Sequence, residues 1–276
     1  MPAVALLKPQ TMTLEGQRVR VAIRRAAPGS PTVLFLHGYP DTLQVFAAAV
    51  AALPESWGYV APDFPGQGKS ARSAPESPTA SPTDRARWLA SLLDTALVPL
   101  VRVFAHDMGA HAALELARLH PRRVERLVLA HSLLDPSAPM SLTLTWLRKS
   151  AAYRVLLPAF PGRVVKKCFE SFLAPNQALT PLVARDVQDA FTMQVGRFTA
   201  SVCDAAEDWL RGGLDRYRVL EMPVTILTGT RNLHFPREHA EALAREVRQA
   251  KVVEVPGGWH WLVWHLPDAV VRALSA

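Results

Sequence analysis

Cysteine is scarce in this sequence. Only Cys168 and Cys203 occur among 276 residues. Two thiols do not make the disulfide framework of a small secreted scaffold, and reduced thiols in a cytoplasmic protein are the default expectation. We therefore predict a cytoplasmic chain that is stabilised by a hydrophobic core, for which the 49% content of hydrophobic residues is ample.

Long apolar runs are missing as well. No stretch approaches the roughly 20 consecutive apolar residues that a membrane span needs. The opening MPAVALLKPQ lacks a basic segment followed by a long apolar one, so no signal peptide is expected. The length instead suits one α/β domain with an inserted subdomain, either monomeric or homodimeric.

Lysine is also scarce. The net charge of +7 rests on 25 arginines and only six lysines, and the arginines are scattered along the chain. No Gly/Arg tract and no basic helix face with interleaved aromatic residues occurs, so a solvated basic surface is favoured over nucleic-acid binding. No metal and no cofactor are expected.

The order of predicted elements indicates an α/β fold. An exposed hairpin around Glu15-Gly16 is followed by short buried strands that alternate with helices, which predicts a mostly parallel central sheet covered by helices on both faces. The alternation stops over residues 132–210, where prolines separate short helical stretches. We predict a core domain of residues 1–131 and 211–276 with a helical cap, or lid, of residues 132–210.

The stretch from Leu100 to Ala117 carries the strongest local pattern. A short apolar strand meets a helix of strong helix formers, and Ala105-His106-Asp107-Met108-Gly109 lies between them. Small residues on both sides of Asp107 are typical of the strained strand-to-helix elbow that presents a nucleophile. The alternative is an ordinary βα unit in which Asp107 is a helix N-cap.

Other polar groups are predicted at the same edge of the sheet. The turn His37-Gly38-Tyr39-Pro40 follows one buried strand, Asn232 follows a second, and His260 follows the last. Ligands of open parallel sheets bind beyond the carboxyl ends of the strands. The chain order of nucleophile, acid position and histidine is that of an α/β-hydrolase triad.

Taken together, these motifs resemble the α/β-hydrolase superfamily, from about Thr32 to Leu274. Within it the chain is similar to the branch with an aspartate nucleophile, the epoxide hydrolases and haloalkane dehalogenases. The stretches that carry the resemblance are HGYP at 37–40, DFPGQGKS at 63–70, HDMGA at 106–110, GTRN at 229–232 and PGGWH at 256–260.

The resemblance implies a two-step hydrolysis. Asp107 would attack a carbon that bears a leaving group and form a covalent alkyl ester, and His260 would activate the water that cleaves it. The backbone N–H groups of Tyr39 and Met108 would form the oxyanion hole. The substrate would be a small apolar molecule, an epoxide first and a haloalkane as the alternative.

The acid position departs from the family pattern, because Asn232 stands where similar proteins carry aspartate. An amide can orient His260 but cannot stabilise its charged form. Three alternatives follow: another carboxylate such as Asp135 supplies the acid, Asn232 orients His260 in a weak enzyme, or Asn232 inactivates the fold and leaves a binding protein. His131 matches the acid position of some dehalogenases and is not an acid either.

Substrate contacts are expected from the cap and from the first turn. Tyr153 resembles the cap tyrosine that donates to the epoxide oxygen in similar hydrolases, although packing of the cap explains it equally well. Trp146 is the candidate donor to a halide. His37, beside the oxyanion turn, is the third predicted substrate contact.

Overall fold

The computed structural model describes residues 5–39, 41–70, 81–135, 137–139, 150, 152, 171–175, 177–194 and 197–276. Its centre is an eight-stranded sheet with the order β1-β2-β4-β3-β5-β6-β7-β8. β2 runs antiparallel to β1 and β4, and all other neighbours are parallel, which confirms the predicted sheet. The strands are β1 Gln10–Leu14, β2 Gln17–Arg24, β3 Thr32–Leu36, β4 Gly58–Pro62, β5 Val101–His106, β6 Val124–Ala130, β7 Val224–Gly229 and β8 Ala250–Val255.

Eight α-helices are found in the described part of the chain. Three short 3₁₀ helices accompany them, at Leu43–Phe46, Pro121–Arg123 and Asp215–Tyr217. The α-helices are α1 Ala47–Ala52, α2 Pro82–Thr95, α3 Gly109–Leu119, α4 Pro181–Gln194, α5 Arg197–Arg211, α6 Arg237–Glu246, α7 Leu262–His265 and α8 Pro267–Ser275.

The interior strands of the sheet, such as β3 and β7, are buried on both faces, and helices cover each face. Along β3 the alternation separates Leu34 and Leu36, which pack with α2 and α3, from Val33 and Phe35, which pack with α1 and α8. Successive side chains of a strand point to opposite faces, so a wholly apolar strand indicates a covered sheet. Among the described helices, none is both long and apolar enough to cross a membrane.

Helix α4 belongs to the segment between β6 and β7 and is fixed to the core by a buried carboxylate. Asp186 accepts two hydrogen bonds of 3.0 Å from the guanidinium of Arg20 and one of 2.8 Å from the hydroxyl of Thr42. The ammonium of Lys69 lies 2.8 Å away, and the Asp186 side chain is only 10% exposed. This cluster joins α4 to β2 and to the loops that flank α1 and β4.

We expect Asp186→Ala to lower the free energy of unfolding by about 3 kcal/mol, because it removes the bidentate partner of Arg20, which keeps only Asp63, together with the buried contacts of Thr42 and Lys69. The control is Asp189→Ala on the same helix, since Asp189 is 49% exposed and 3.7 Å from Lys69; about 0.5 kcal/mol or less is expected there. Urea denaturation of both variants measures the difference, and equal losses would contradict the role of the cluster.

The pH dependence of that loss follows from the same contacts. Burial raises the pKa of Asp186, but the bonds from Arg20, Lys69 and Thr42 outweigh it and hold the pKa below its ordinary value. The stabilisation is therefore present above the unfolded pKa of about 4 and is lost as pH falls through the folded value. The difference in free energy of unfolding between wild type and Asp186→Ala should be largest at neutral pH and should disappear in acid.

Candidate active site

Asp107 lies in the sharp turn between β5 and α3. Its φ is +52°, in the left-handed region that non-glycine residues seldom occupy. The next helix turns back so closely that a Cβ on Gly109 would lie 2.5 Å from the carbonyl oxygen of Leu36. The structure thus places Asp107 where the pattern of small residues predicts the elbow apex.

Two backbone donors hold the Asp107 carboxylate. The N–H of Tyr39 donates to Oδ1 over 3.1 Å, and the N–H of Met108 also donates to the carboxylate. A Cβ on Gly38 would lie 2.3 Å from Cβ of Asp107, so only glycine permits the turn after β3 to approach this closely. The donors predicted for an oxyanion hole therefore converge on the predicted nucleophile.

The ionisation of Asp107 reflects opposing influences. Burial raises the pKa of Asp107 to about 6, while the charge of His106 and the N–H groups of Met108 and Tyr39 lower it. The nearby Asp41 carboxylate acts in the raising direction. The carboxylate is consequently ionised at neutral pH, as a nucleophile requires.

His260 faces this carboxylate. Its Nε2 lies 3.8 Å from Oδ2 of Asp107, longer than a hydrogen bond and within the reach of one bridging water. The ring is 4.6 Å from that of His106 and 4.5 Å from that of Phe172, measured between centroids. Burial, followed by the charge of His106, lowers the pKa of His260 well below its usual value, so the imidazole is neutral.

Neither predicted partner reaches the other nitrogen of His260. Asn232 donates from Nδ2 to the carbonyl of Phe235 over 2.6 Å, and its Oδ1 accepts from the N–H of His234. Asp135 accepts from the N–H and hydroxyl of Ser137 within its own loop. Both predicted contacts are therefore wrong. Within the described residues, Nδ1 of His260 is buried and has no hydrogen-bond partner.

Two histidines hold the backbone of His260 instead. His131 accepts at Nε2 from the N–H of Gly229 over 2.7 Å, so its proton is on Nδ1, which donates to the His260 carbonyl over 2.7 Å. His106 directs Nε2 at the same carbonyl over 3.0 Å. These bonds tie the ends of β5, β6 and β7 to the loop after β8.

His106, His131 and His260 are close enough together to be considered as ligands of one metal ion. Nitrogens of His106, His131 and His260 lie within 4.8 Å of one another. However, one nitrogen of His131 accepts a backbone hydrogen bond and the other carries a proton, which leaves no lone pair for a metal. The described geometry is that of a hydrogen-bonded support for the His260 loop.

His37 is fully buried, and both of its ring nitrogens are occupied. Nδ1 donates to the carbonyl of Gly38 over 2.7 Å, and Nε2 accepts from the N–H of Phe64 over 3.3 Å. The side chain therefore shapes the turn that carries Tyr39, and neither of its ring nitrogens is left for a polar contact with substrate. The other predicted substrate contacts, Tyr153 and Trp146, lie outside the described residues.

Asn232→Asp should damage the protein without improving it. A carboxylate cannot donate to the carbonyl of Phe235, so the variant leaves that acceptor unpaired beside a new negative charge and costs about 1–3 kcal/mol. Because the side chain does not face His260, the rate of any hydrolysis should change less than about twofold at a temperature where both proteins are fully folded. Thermal melts and a rate assay measure both effects, and a large gain in rate would show that residue 232 reaches His260.

Comparison with known proteins places this geometry in a family. A family model described as the alpha/beta hydrolase fold matches residues 31–265. An uncharacterised protein of Mycobacterium bovis is 27% identical over 230 residues, which cover 78% of this chain and 66% of that protein. An epoxide hydrolase of Caballeronia sordidicola is 35% identical over 95 residues, 34% of this chain and 28% of that one.

Solved structures agree in fold. The chain is similar to Cfl2 of Burkholderia cenocepacia with a TM-score of 0.84 at 18% identity, covering 100% of this chain and 97% of the other. A Pseudomonas aeruginosa protein provisionally assigned as an epoxide hydrolase gives 0.82 at 22% identity, over 98% and 96% of the two chains. Identities this low support the fold and leave the substrate to be argued from the site.

Proposed function

This chain belongs to the α/β-hydrolase fold family, and on that premise we propose that it hydrolyses through an alkyl ester formed on Asp107. The observation that carries the proposal is the placement of an ionised carboxylate at the elbow, held by the N–H groups of Tyr39 and Met108 and facing His260. A serine hydrolase presents a hydroxyl at this point, whereas a carboxylate suits displacement at an sp³ carbon.

In the first step, an oxygen of Asp107 attacks the less hindered carbon of an epoxide. The carbon–oxygen bond of the ring breaks, and the leaving oxygen takes a proton from a donor above the site. We propose Tyr153 as that donor. With a haloalkane, the carbon–halogen bond breaks instead and the halide leaves with the electron pair.

In the second step, His260 accepts a proton from water at Nε2 while the water oxygen attacks the carboxyl carbon of the ester. The oxyanion that forms lies against the N–H groups of Tyr39 and Met108, which already donate to the carboxylate. Collapse breaks the ester bond, and the departing alkoxide takes the proton from His260. A diol or an alcohol is released. The proton left on the Asp107 carboxyl passes to the Tyr153 phenolate after an epoxide, or to solvent after a haloalkane, and ionised Asp107 is restored.

An epoxide is favoured over a haloalkane by the residues beside the nucleophile. Haloalkane dehalogenases resemble HGNP with an asparagine and have a tryptophan directly after the nucleophile to hold halide, whereas Tyr39 and Met108 occupy those positions here. Trp146 remains the candidate halide donor. The curated epoxide hydrolase relative supports the same choice.

We also propose that residues 132–210 form a cap over an apolar substrate site. The described part of that segment reaches the site through Phe172, whose ring packs on His260 and whose carbonyl accepts from the N–H of Trp261 over 2.9 Å. Ser171 lies 3.0 Å from Nε2 of His234, which borders His260. An apolar ring at this position excludes water and favours a hydrocarbon substituent.

A second candidate function is favoured by one observation, the absence of a carboxylate at Nδ1 of His260 among the described residues. An imidazole without an orienting acid is a weak base. The fold would then bind a small apolar molecule, or react with it once, without efficient turnover.

The proposal is tested by labelling Asp107. The protein is incubated with styrene oxide, propylene oxide or butyl bromide in ¹⁸O-labelled water, and intact mass and peptide mapping follow the segment that contains Asp107. We expect either an alkyl adduct or, after turnover, ¹⁸O in the Asp107 carboxylate, because water attacks the carboxyl carbon.

Two variants make the labelling specific. Asp107→Ala should abolish both labels, while Asp135→Ala, which removes a carboxylate outside the site, should leave them unchanged. Product formation without label on Asp107 would contradict the ester mechanism. Neither label nor product from the whole panel would favour the binding candidate.

A further inference from the structure

A second buried carboxylate lies behind the proposed site and has no role in the mechanism above. Asp41, in the turn after β3, is 2% exposed. Its Oδ2 accepts from the indole N–H of Trp261 over 3.2 Å and lies 3.3 Å from Nδ1 of His106. Within the described residues, His106 is the only cationic side chain within ion-pairing distance of this carboxylate. A buried carboxylate needs such a partner, because its desolvation is otherwise too costly.

His106 meets an acceptor at each of its ring nitrogens. Nδ1 faces the Asp41 carboxylate, and Nε2 faces the carbonyl oxygen of His260 at 3.0 Å. A neutral imidazole carries only one N–H and would place a lone pair against one of these oxygens, whereas the imidazolium presents an N–H to each. The contact of Nδ1 with Asp41 is an ion-pair contact at 3.3 Å without the alignment of a hydrogen bond. The ring is fully buried, so no water replaces either partner.

We infer that Asp41 and His106 form a buried carboxylate–imidazolium pair, and that the positive charge of His106 keeps the neighbouring Asp107 ionised for attack. The inference rests on the proposed role of Asp107 as nucleophile. His106 and Asp41 act as positioning residues, since they work through the charge on Asp107 and through the loop of His260.

The charges that face Asp107 come from three elements. His106 precedes it on β5, Asp41 lies behind His106, and His260 approaches from the loop after β8. Burial lowers the pKa of His260 and of His131, so both are neutral and add no positive charge. Burial alone would also lower the pKa of His106, but the Asp41 carboxylate outweighs it and raises that pKa above its ordinary value.

The two members of the pair therefore have opposite effects on Asp107: the charge of His106 favours its ionised form, and the charge of Asp41 disfavours it. Variants of each residue should separate these effects. His106→Gln removes the cation, keeps a donor toward the His260 carbonyl and leaves Asp41 to repel Asp107. Asp41→Asn removes the anion and, by removing the counterion, also lets His106 lose its charge. The double variant removes both charges. A purely structural role predicts that the double variant is the most damaged, whereas the charge argument predicts that His106→Gln is.

The first test is the pH profile of alkylation by styrene oxide, followed by intact mass in single-turnover mixtures. Wild-type protein should reach half its maximal rate near pH 6, the pKa of Asp107. His106→Gln should shift that midpoint upward by at least about one pH unit, a roughly tenfold slower reaction on the acidic limb. Adding Asp41→Asn should move the midpoint part of the way back. An unshifted midpoint in His106→Gln, or a further upward shift in the double variant, would overturn the inference.

The second test does not depend on catalysis. Imidazole ¹⁵N and ¹³C signals of His106, assigned by comparison with His106→Gln, should report an imidazolium in wild type at neutral pH and a ring that loses its proton at lower pH in Asp41→Asn. A neutral His106 in wild type would overturn the inference. If no variant, including wild type, is alkylated while His106 is charged, the proposed function fails and the ion pair stands.

Discussion

Butyl bromide should release close to one equivalent of bromide per active site in a fast phase, followed by a much slower steady release. The fast phase requires only an ionised nucleophile, and Asp107 is ionised above about pH 6 with its carboxylate held in place by Tyr39 and Met108. The slow phase requires His260 to become an imidazolium, and the site opposes that charge.

Two features oppose it. Nδ1 of His260 faces no acceptor among the described residues, and the ring lies 4.6 Å from His106, which the contacts with Asp41 and the His260 carbonyl make a cation. In a serine protease, loss of the charge of the orienting acid costs about 10⁴-fold in turnover. We expect the two phases to differ by a factor of that order, since the first step does not use His260 as a base.

Stopped-flow halide detection with intact mass of the quenched protein measures both phases. The amplitude of the burst should equal the fraction of protein that carries the butyl adduct. Asp107→Ala should abolish the burst, and His260→Gln should keep it while stopping the slow phase. Steady release without a burst, together with no detectable adduct, would show that ester cleavage is fast and that a group outside the described residues supports His260.

The sequence predicts the fold well because each signal for it is local. After Thr32, every residue of the strand Thr32–Leu36 is apolar and buried, as expected for a strand that is covered on both faces of the sheet. The small residues around Asp107 are needed because β3 and α3 pass within contact distance at the elbow. Helix ends depend on single side chains, for example at α2, where Ser81 caps the helix by accepting from the N–H of Asp84 over 3.1 Å.

The support of His260 could not be predicted in the same way, because it depends on which side chains meet across four strands. Asn232 occupies the acid position in the chain, but the turn after β7 directs its amide into its own loop. In the sequence His131 stands only where some dehalogenases have their acid, whereas in the structure its two ring nitrogens link Gly229 to the His260 carbonyl. Asp41 directly follows HGYP and His106 is the first residue of HDMGA, but neither has a periodic or spacing signal of its own.

Gly38→Ala should reduce alkylation of Asp107 by about 100-fold or more. The added methyl carbon would lie 2.3 Å from Cβ and 2.4 Å from Oδ1 of Asp107, distances that real Cβ atoms essentially never show. Asp107 cannot retreat without cost, because its own backbone is already in the left-handed region at φ +52°. The steric clash can be relieved only by displacing the carboxylate of Asp107 or the N–H of Tyr39. A misplacement of about 1 Å costs about 10²-fold in rate.

The matched control for that substitution is Gly29→Ala. Gly29 has φ +76° in an exposed turn, and a Cβ there meets nothing within 4 Å. It should cost about 1 kcal/mol of stability through backbone strain and leave alkylation unchanged. Alkylation rates with styrene oxide, measured on protein that circular dichroism shows to be folded, compare the two variants. A Gly38→Ala protein that is alkylated at the wild-type rate would mean that the turn after β3 does not fix the nucleophile, and the donors of Tyr39 and Met108 would then lose their proposed role.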